Sequence, residues 1–196
     1  MSYDITEISG IFAGLLSFVA FPVYYISVIN KKTIPNRATW FILTVVGFLI
    51  ASSYYSVGAE ETIWVAVSYI IGPLIIFILS IKYGEGGWNR FDKSCLFLSG
   101  LSIILWFISG SALMTLMINI FIDFLGVLPT IKKSYIRPYT ESFAQWLITF
   151  FASILNIIAI REWIFSIYIY PLYMLIFNSL IMLPLLLFFI RNRSKG

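Results

Sequence analysis

Asp123 is the one ionisable side chain that falls well inside an apolar block of this chain. It stands about nine residues before Lys132, roughly 13 Å along a helix at 1.5 Å per residue. A helix crossing a bilayer therefore holds its carboxyl close to the midplane. An acidic group at that depth costs at least about 2.5 kcal/mol on insertion scales, and such groups mark ion, proton or solute pathways by default. No Lys or Arg stands at the same depth in another apolar block. The carboxyl is then neutral, hydrogen-bonded, hydrated or paired with a bound cation. Asn119 stands four residues earlier, and Gly126 and Thr130 stand three and seven later, all on one helical face. Asn156 and Asn178 add midplane polar groups from two further blocks, and Tyr69 and Tyr173 add aromatic walls. Two chemistries fit. In one, these groups line a polar cavity where Asp123 couples protons or faces a cationic solute. In the other, they are interhelical hydrogen bonds that hold the bundle together.

Other chemistry is poorly supplied. Cys95 is alone and there is no histidine, so neither an internal disulfide nor a Cys/His zinc site is expected. There is no paired-carboxylate motif and no nucleophile constellation, so the expectation is no enzyme, no cofactor and no metal. The last apolar block has no Lys for a retinal Schiff base. The run from Gly84 to Trp88 is glycine-rich but lacks the Lys-Ser/Thr ending of a phosphate loop. It reads as a flexible linker.

The elements that must position Asp123 are membrane helices. Of 196 residues, 60% are hydrophobic and 11% charged, against about 25% charged in an ordinary soluble domain. That composition excludes a soluble enzyme, a nucleic-acid-binding domain and a secreted disulfide scaffold. The apolar residues fall in blocks near 20 residues long, enough to cross roughly 30 Å of hydrocarbon. An acidic start, Met1 to Glu7, does not read as a cleavable signal peptide. The blocks predict seven spans, at 8–29, 38–57, 63–81, 94–109, 112–131, 142–160 and 165–190.

Charge sets their orientation. With seven spans, one side holds Lys31, Lys32, Arg37, Lys82, Arg90, Lys93, Lys132, Lys133, Arg137, Arg191, Arg193 and Lys195, which is 12 of the 13 basic residues. The other side holds Arg161 with Asp4, Glu7, Glu60, Glu61 and Glu162. The positive-inside rule then places the N-terminus outside and the C-terminus in the cytoplasm. The net charge of +4 follows from that topology and from anionic head groups, with no nucleic-acid partner. Trp40 and Trp146 near the inner ends, and Trp64 and Trp163 near the outer ends, read as interfacial anchors. Gly14, Ser17, Gly47, Ala51, Ser52 and Ser53 are small enough for close helix packing.

Landmarks recur between the halves. Pro22, Lys31-Lys32, Pro35 and Trp40 match Pro129, Lys132-Lys133, Pro138 and Trp146 in order. Pro to Trp is 18 residues in one copy and 17 in the other. Glu61 and Trp64 precede Pro73 as Glu162 and Trp163 precede Pro171. Three helices, one linker helix and three helices make a parallel repeat, since an odd linker leaves both triplets in one orientation. The bounds are 1–83 for the first bundle, 84–110 for the linker and fourth helix, and 111–196 for the second bundle and basic tail. Proline removes a backbone hydrogen bond inside a helix, so Pro22, Pro73, Pro129 and Pro171 are candidate hinges, or static kinks that shape packing. Pro184 has no counterpart.

This arrangement resembles the SWEET and PQ-loop group of membrane proteins, whose two three-helix bundles are joined by a fourth helix. In that group a proline lies in the cytoplasmic part of each bundle's first helix, where Pro22 and Pro129 stand. The Pro-Gln dipeptide is replaced here by Pro22-Val23 and Pro129-Thr130. The segment Asp123-x-x-Gly126-x-x-Pro129-Thr130-x-x-Lys133, with Pro138, Glu141 and Trp146 after it, is also similar to a run in bacterial membrane proteins, to which no activity attaches. The resemblance implies a small carrier for a small polar solute, working by alternating access, with proton coupling and facilitated diffusion both open. A non-transporting receptor or sensor of the same fold is the alternative. The expected partners are the solute and the lipid bilayer, with homo-oligomerisation open. The loop-poor, Ile- and Lys-rich style suggests a bacterial inner membrane.

Overall fold

The computed structural model describes residues 4–86 and 110–193, with isolated positions between 90 and 108. The expected fourth helix, 94–109, and the Gly-rich stretch from Gly87 onward are not covered by the continuously described residues. Six α-helices are described: α1 (Ile5–Ile29), α2 (Arg37–Ser56), α3 (Ile63–Tyr83), α4 (Ala112–Ile136), α5 (Phe143–Ile158) and α6 (Phe165–Arg193). A 3-10 turn, Pro138–Thr140, joins α4 to α5. Five helices, all but α5, are long and apolar enough to cross a membrane, and α5 is a shorter apolar helix. Those lengths and compositions are the mark of an integral membrane protein.

Helix starts follow side-chain caps that satisfy the free N–H groups of a first turn. The Asp4 carboxylate accepts from Thr6 N at 3.3 Å, so α1 begins three residues before the apolar block suggests. Asn36 caps α2 through Thr39 N at 3.0 Å, and Ser111 caps α4 through Met114 N at 3.3 Å. The end of α4 departs furthest from expectation. It runs to Ile136, through the two lysines, instead of stopping near Ile131.

The packing repeats. α3 packs on both α1 and α2, and α6 packs on both α4 and α5. Between these groups α1 packs on α5 and α2 packs on α4. Exchanging α1 with α4, α2 with α5 and α3 with α6 maps every one of these contacts onto another. The slighter contacts, α2 with α6 and α3 with α5, exchange in the same way.

Lipid supplies no hydrophobic drive between helices, so close packing must hold them. At Gly47 of α2 an added Cβ would stand 2.4 Å from the Tyr69 carbonyl oxygen of α3. That carbonyl lies four residues before Pro73, which has no N–H to give it. Pro171 orphans the Ile167 carbonyl of α6 in the same way, and Tyr54 of α2 donates its hydroxyl there at 2.6 Å. Tyr54 has one proton, so the Thr62 hydroxyl 2.7 Å away is the donor to it. Both carbonyls left free by the third-helix prolines are therefore met by α2.

Gly47→Ala should lower stability by about 1–3 kcal/mol, the usual cost of overpacking, because the obstacle is backbone. Gly126→Ala should cost a similar amount, because its Cβ would meet Ile42 Cγ2 at 2.5 Å and Cβ at 3.0 Å, and a β-branched side chain on a helix has little freedom to turn. Thermal unfolding in detergent reads both, and an unchanged midpoint for either would contradict the packing argument.

Candidate functional site

One face of α4 carries Thr115, Asn119, Asp123, Gly126, Thr130 and Lys133, all buried. Their spacing of three and four residues keeps them in line along the helix. Asp123 is 5% exposed. Its carboxylate accepts from the Tyr173 hydroxyl of α6 at 2.5 Å. Tyr69 of α3 and Tyr170 of α6 lie within electrostatic reach of it. Among the described residues Asp123 has no ion-pair partner. The structure thus joins Asp123 of α4 to Tyr173 of α6 directly, with Tyr69 of α3, from the other three-helix group, near enough to feel the charge.

Aromatic rings continue from this point. The Tyr170 centroid lies 5.0 Å from Tyr54 and 6.5 Å from Tyr173. Tyr173 stacks on Phe177 at 6.1 Å, and Phe177 meets Trp146 edge-on at 5.8 Å. Rings so spaced favour offset or edge-on contact. They join α2 to α6 and α6 to α5.

The asparagines divide. Asn119 donates to Thr115 O on its own helix at 3.0 Å. Asn178 of α6 donates to Ser153 Oγ of α5 at 2.7 Å, and among the described residues its Oδ1 has no partner. Asn156 is fully buried, and among the described residues neither its amide atoms nor Gln145 Oε1 find a partner. Depth alone had grouped Asn156 and Asn178 with Asp123. In the structure Asn178 is engaged with Ser153 of α5, and among the described residues no hydrogen bond joins Asn156 or Asn178 to Asp123. Buried amides without partners call for water or another polar molecule.

Pro22, Pro73, Pro129 and Pro171 all stand inside helices that run through them. Trp64 and Trp163 are exposed, but Trp40 and Trp146 are buried. The inner pair is thus part of the core instead of an interfacial belt. Trp40 lies 4.9 Å from the Tyr24 ring, and Trp146 donates to Glu141.

Glu141, which the sequence marks only as part of a run with no activity attached, is buried. It forms an ion pair with Lys133 at 2.5 Å, with side chains 0% and 4% exposed. Its Oε2 accepts from Trp146 Nε1 at 3.0 Å and from Tyr24 OH at 3.4 Å. Lys133 Nζ also donates to the Ile34 carbonyl. The signal was present: Lys133 continues the buried face three residues past Thr130. Grouping it with Lys132 as a loop charge hid that register. Other basic residues at this end are engaged internally too. Arg37 donates to the carbonyls of Ser80 in the last turn of α3 and of Gly84 and Gly86 just beyond it, where a cation suits the helix dipole. Arg137 pairs with Glu85 at 2.6 Å.

At the opposite end Arg161 pairs with Glu61 at 2.9 Å and Asp4 at 3.2 Å. A cleft of about 160 Å³ opens there, lined by Gly58, Glu60, Glu61, Arg161, Glu162 and Ile167. The Arg161 side chain is 48% exposed, and exposed pairs contribute about 0–1 kcal/mol. Arg161→Ala should therefore cost less than about 1 kcal/mol by thermal unfolding, and the loss should shrink in high salt. Asp4 is held below the ordinary aspartate value of 3.8, first by the Thr6 backbone N–H and further by the Arg161 charge. A lowered carboxyl favours the folded chain above that value, and the contribution disappears as pH falls through the lowered one. The Arg161 effect should accordingly vanish in acid below the range of Asp4.

Compared with known proteins, the chain matches no protein-family model, no curated protein and no solved structure.

Proposed function

We propose that this chain is a small carrier that moves a small polar solute by alternating access, from a site centred on Asp123, in a bacterial inner membrane. The observation that carries this reading is the buried Asp123 carboxyl at the junction of the two three-helix groups, with no cationic partner among the described residues. Such a group is costly in a membrane interior and has no structural need for charge. As the proton site it accepts a proton when one access route opens and releases it to the other. As a counter-ion it pairs with a cationic solute.

The exchangeable packing of α1–α3 and α4–α6 supports a parallel repeat of two bundles, and carriers built this way rock one bundle against the other about a midplane site. With a linker helix between the bundles, the reading is seven spans, N-terminus outside, as the distribution of basic residues favours. Tyr173 and Tyr69 reach the Asp123 site from opposite bundles, so relative motion of the bundles would change its surroundings directly.

The experiment is solute-driven proton flux in proteoliposomes holding a pH dye, screened over sugars, amino acids, amines and vitamins. A solute-dependent pH signal supports a proton-coupled carrier. Labelled uptake without a pH signal supports facilitated diffusion, with Asp123→Asn run in parallel to read its part in solute binding. Binding without either would make the chain a receptor of the same fold.

A further inference from the structure

We propose that Lys133 is a latch at the basic end of the molecule, joining the two bundles through the Ile34 carbonyl, with Glu141 as its positioning residue. Lys133 on α4 and Glu141 before α5 both belong to the second bundle. Ile34 lies in the loop between α1 and α2, in the first. Glu141 is aimed before the lysine arrives, because Trp146 and Tyr24 occupy Oε2 and leave Oε1 facing the ammonium. The ammonium has three donors, and one of them reaches across to Ile34.

The seam between the loops holds few polar bonds. Besides the lysine bond, Ile34 N donates to Thr140 O at 3.0 Å, the Tyr24 bond to Glu141 is a long 3.4 Å, and Arg137 pairs with Glu85, whose backbone is bonded to Pro35 and Arg37 of the first bundle, through side chains 44% and 30% exposed. The ion pair lies wholly within the second bundle. The loops can part without breaking it, so the cost of burying two charges need not be met again at each opening. Directly beneath, Thr130 of α4 bonds Thr39 of α2 at 3.3 Å, and each residue is 1% exposed. Release of the latch would uncover this pair first.

The inference rests on the carrier reading in one respect, that a carrier must open at this end. Its test needs no solute. Cys95→Ser removes the natural thiol, and Thr130→Cys places a reporter under the latch. Inside-out and right-side-out vesicles are treated with a membrane-impermeant thiol reagent. In the double variant Lys133→Met/Glu141→Gln, no buried charge is left and the amide oxygen still serves Trp146. The reporter should then react about tenfold faster, and only from the basic side. An unchanged rate, or equal acceleration from both sides, would overturn the proposal. If that variant does not fold, the exchange Lys133→Glu/Glu141→Lys keeps one buried pair but moves the ammonium away from Ile34, and the same acceleration is expected. A faster reporter with silent solute flux would remove the carrier and keep the latch, and the reverse would remove the latch alone.

Discussion

Asp123→Asn should lower solute flux by about 10–150-fold while leaving thermal stability unchanged or higher. The two halves of that expectation have separate causes. A hydrogen bond to a charged partner is worth about 1.5–3 kcal/mol, which is that factor at 1.4 kcal/mol per tenfold. An amide can neither release a proton nor balance a cation, so any coupled pH signal should vanish altogether. Stability moves the other way because the carboxyl is buried without an ion-pair partner among the described residues. Its replacement by a neutral isostere lowers the cost of insertion and still accepts from Tyr173. If flux survived while stability fell, Asp123 would be a structural hydrogen-bond group and no more.

Lys133→Met should be the most damaging substitution for stability, at about 3–5 kcal/mol. Removing one partner of a buried ion pair leaves the other charge stranded, and Glu141 is completely buried. Lys133→Met/Glu141→Gln should recover most of that loss, because buried pairs replaced as a unit are often close to neutral. Unfolding in detergent followed across the single and double variants reads both values. A single variant that lost less than about 1 kcal/mol would mean that the Glu141 carboxylate escapes to water. The contrast with Arg161 is sharp: its own side chain and Asp4 are half exposed, only Glu61 is largely covered, and its pairs should be nearly dispensable.

The five helices long enough to cross a membrane were legible because a bilayer asks for about 20 apolar residues, and the caps Asp4, Asn36 and Ser111 stand where three of these runs begin. The Asp123 site was half legible. A lone acid inside an apolar run stands out, and Gly126 and Thr130 mark its face. Which partners reach it was not legible, because depth does not say which way a helix faces. Tyr173 points at Asp123, whereas Asn178, five residues further on the same helix, bonds to Ser153 on the other neighbour. The end of α4 was misplaced for a related reason. Paired lysines read as a loop in water, yet Lys133 turns inward to an acid eight residues away. Glu141 itself lies outside every apolar block, where a carboxylate is normally solvated, so nothing local announces its burial. Trp146 reads as a membrane anchor until its indole N–H is found on that acid.

The most direct measurement is counterflow of labelled solute in proteoliposomes loaded with the same unlabelled solute, using the compound that drives flux in the wild type. A carrier that exposes one site alternately to each side gives transient uptake of label above equilibrium, and Asp123→Asn should slow it by about 10–150-fold. Saturable binding of the same compound with no transient uptake would contradict alternating access.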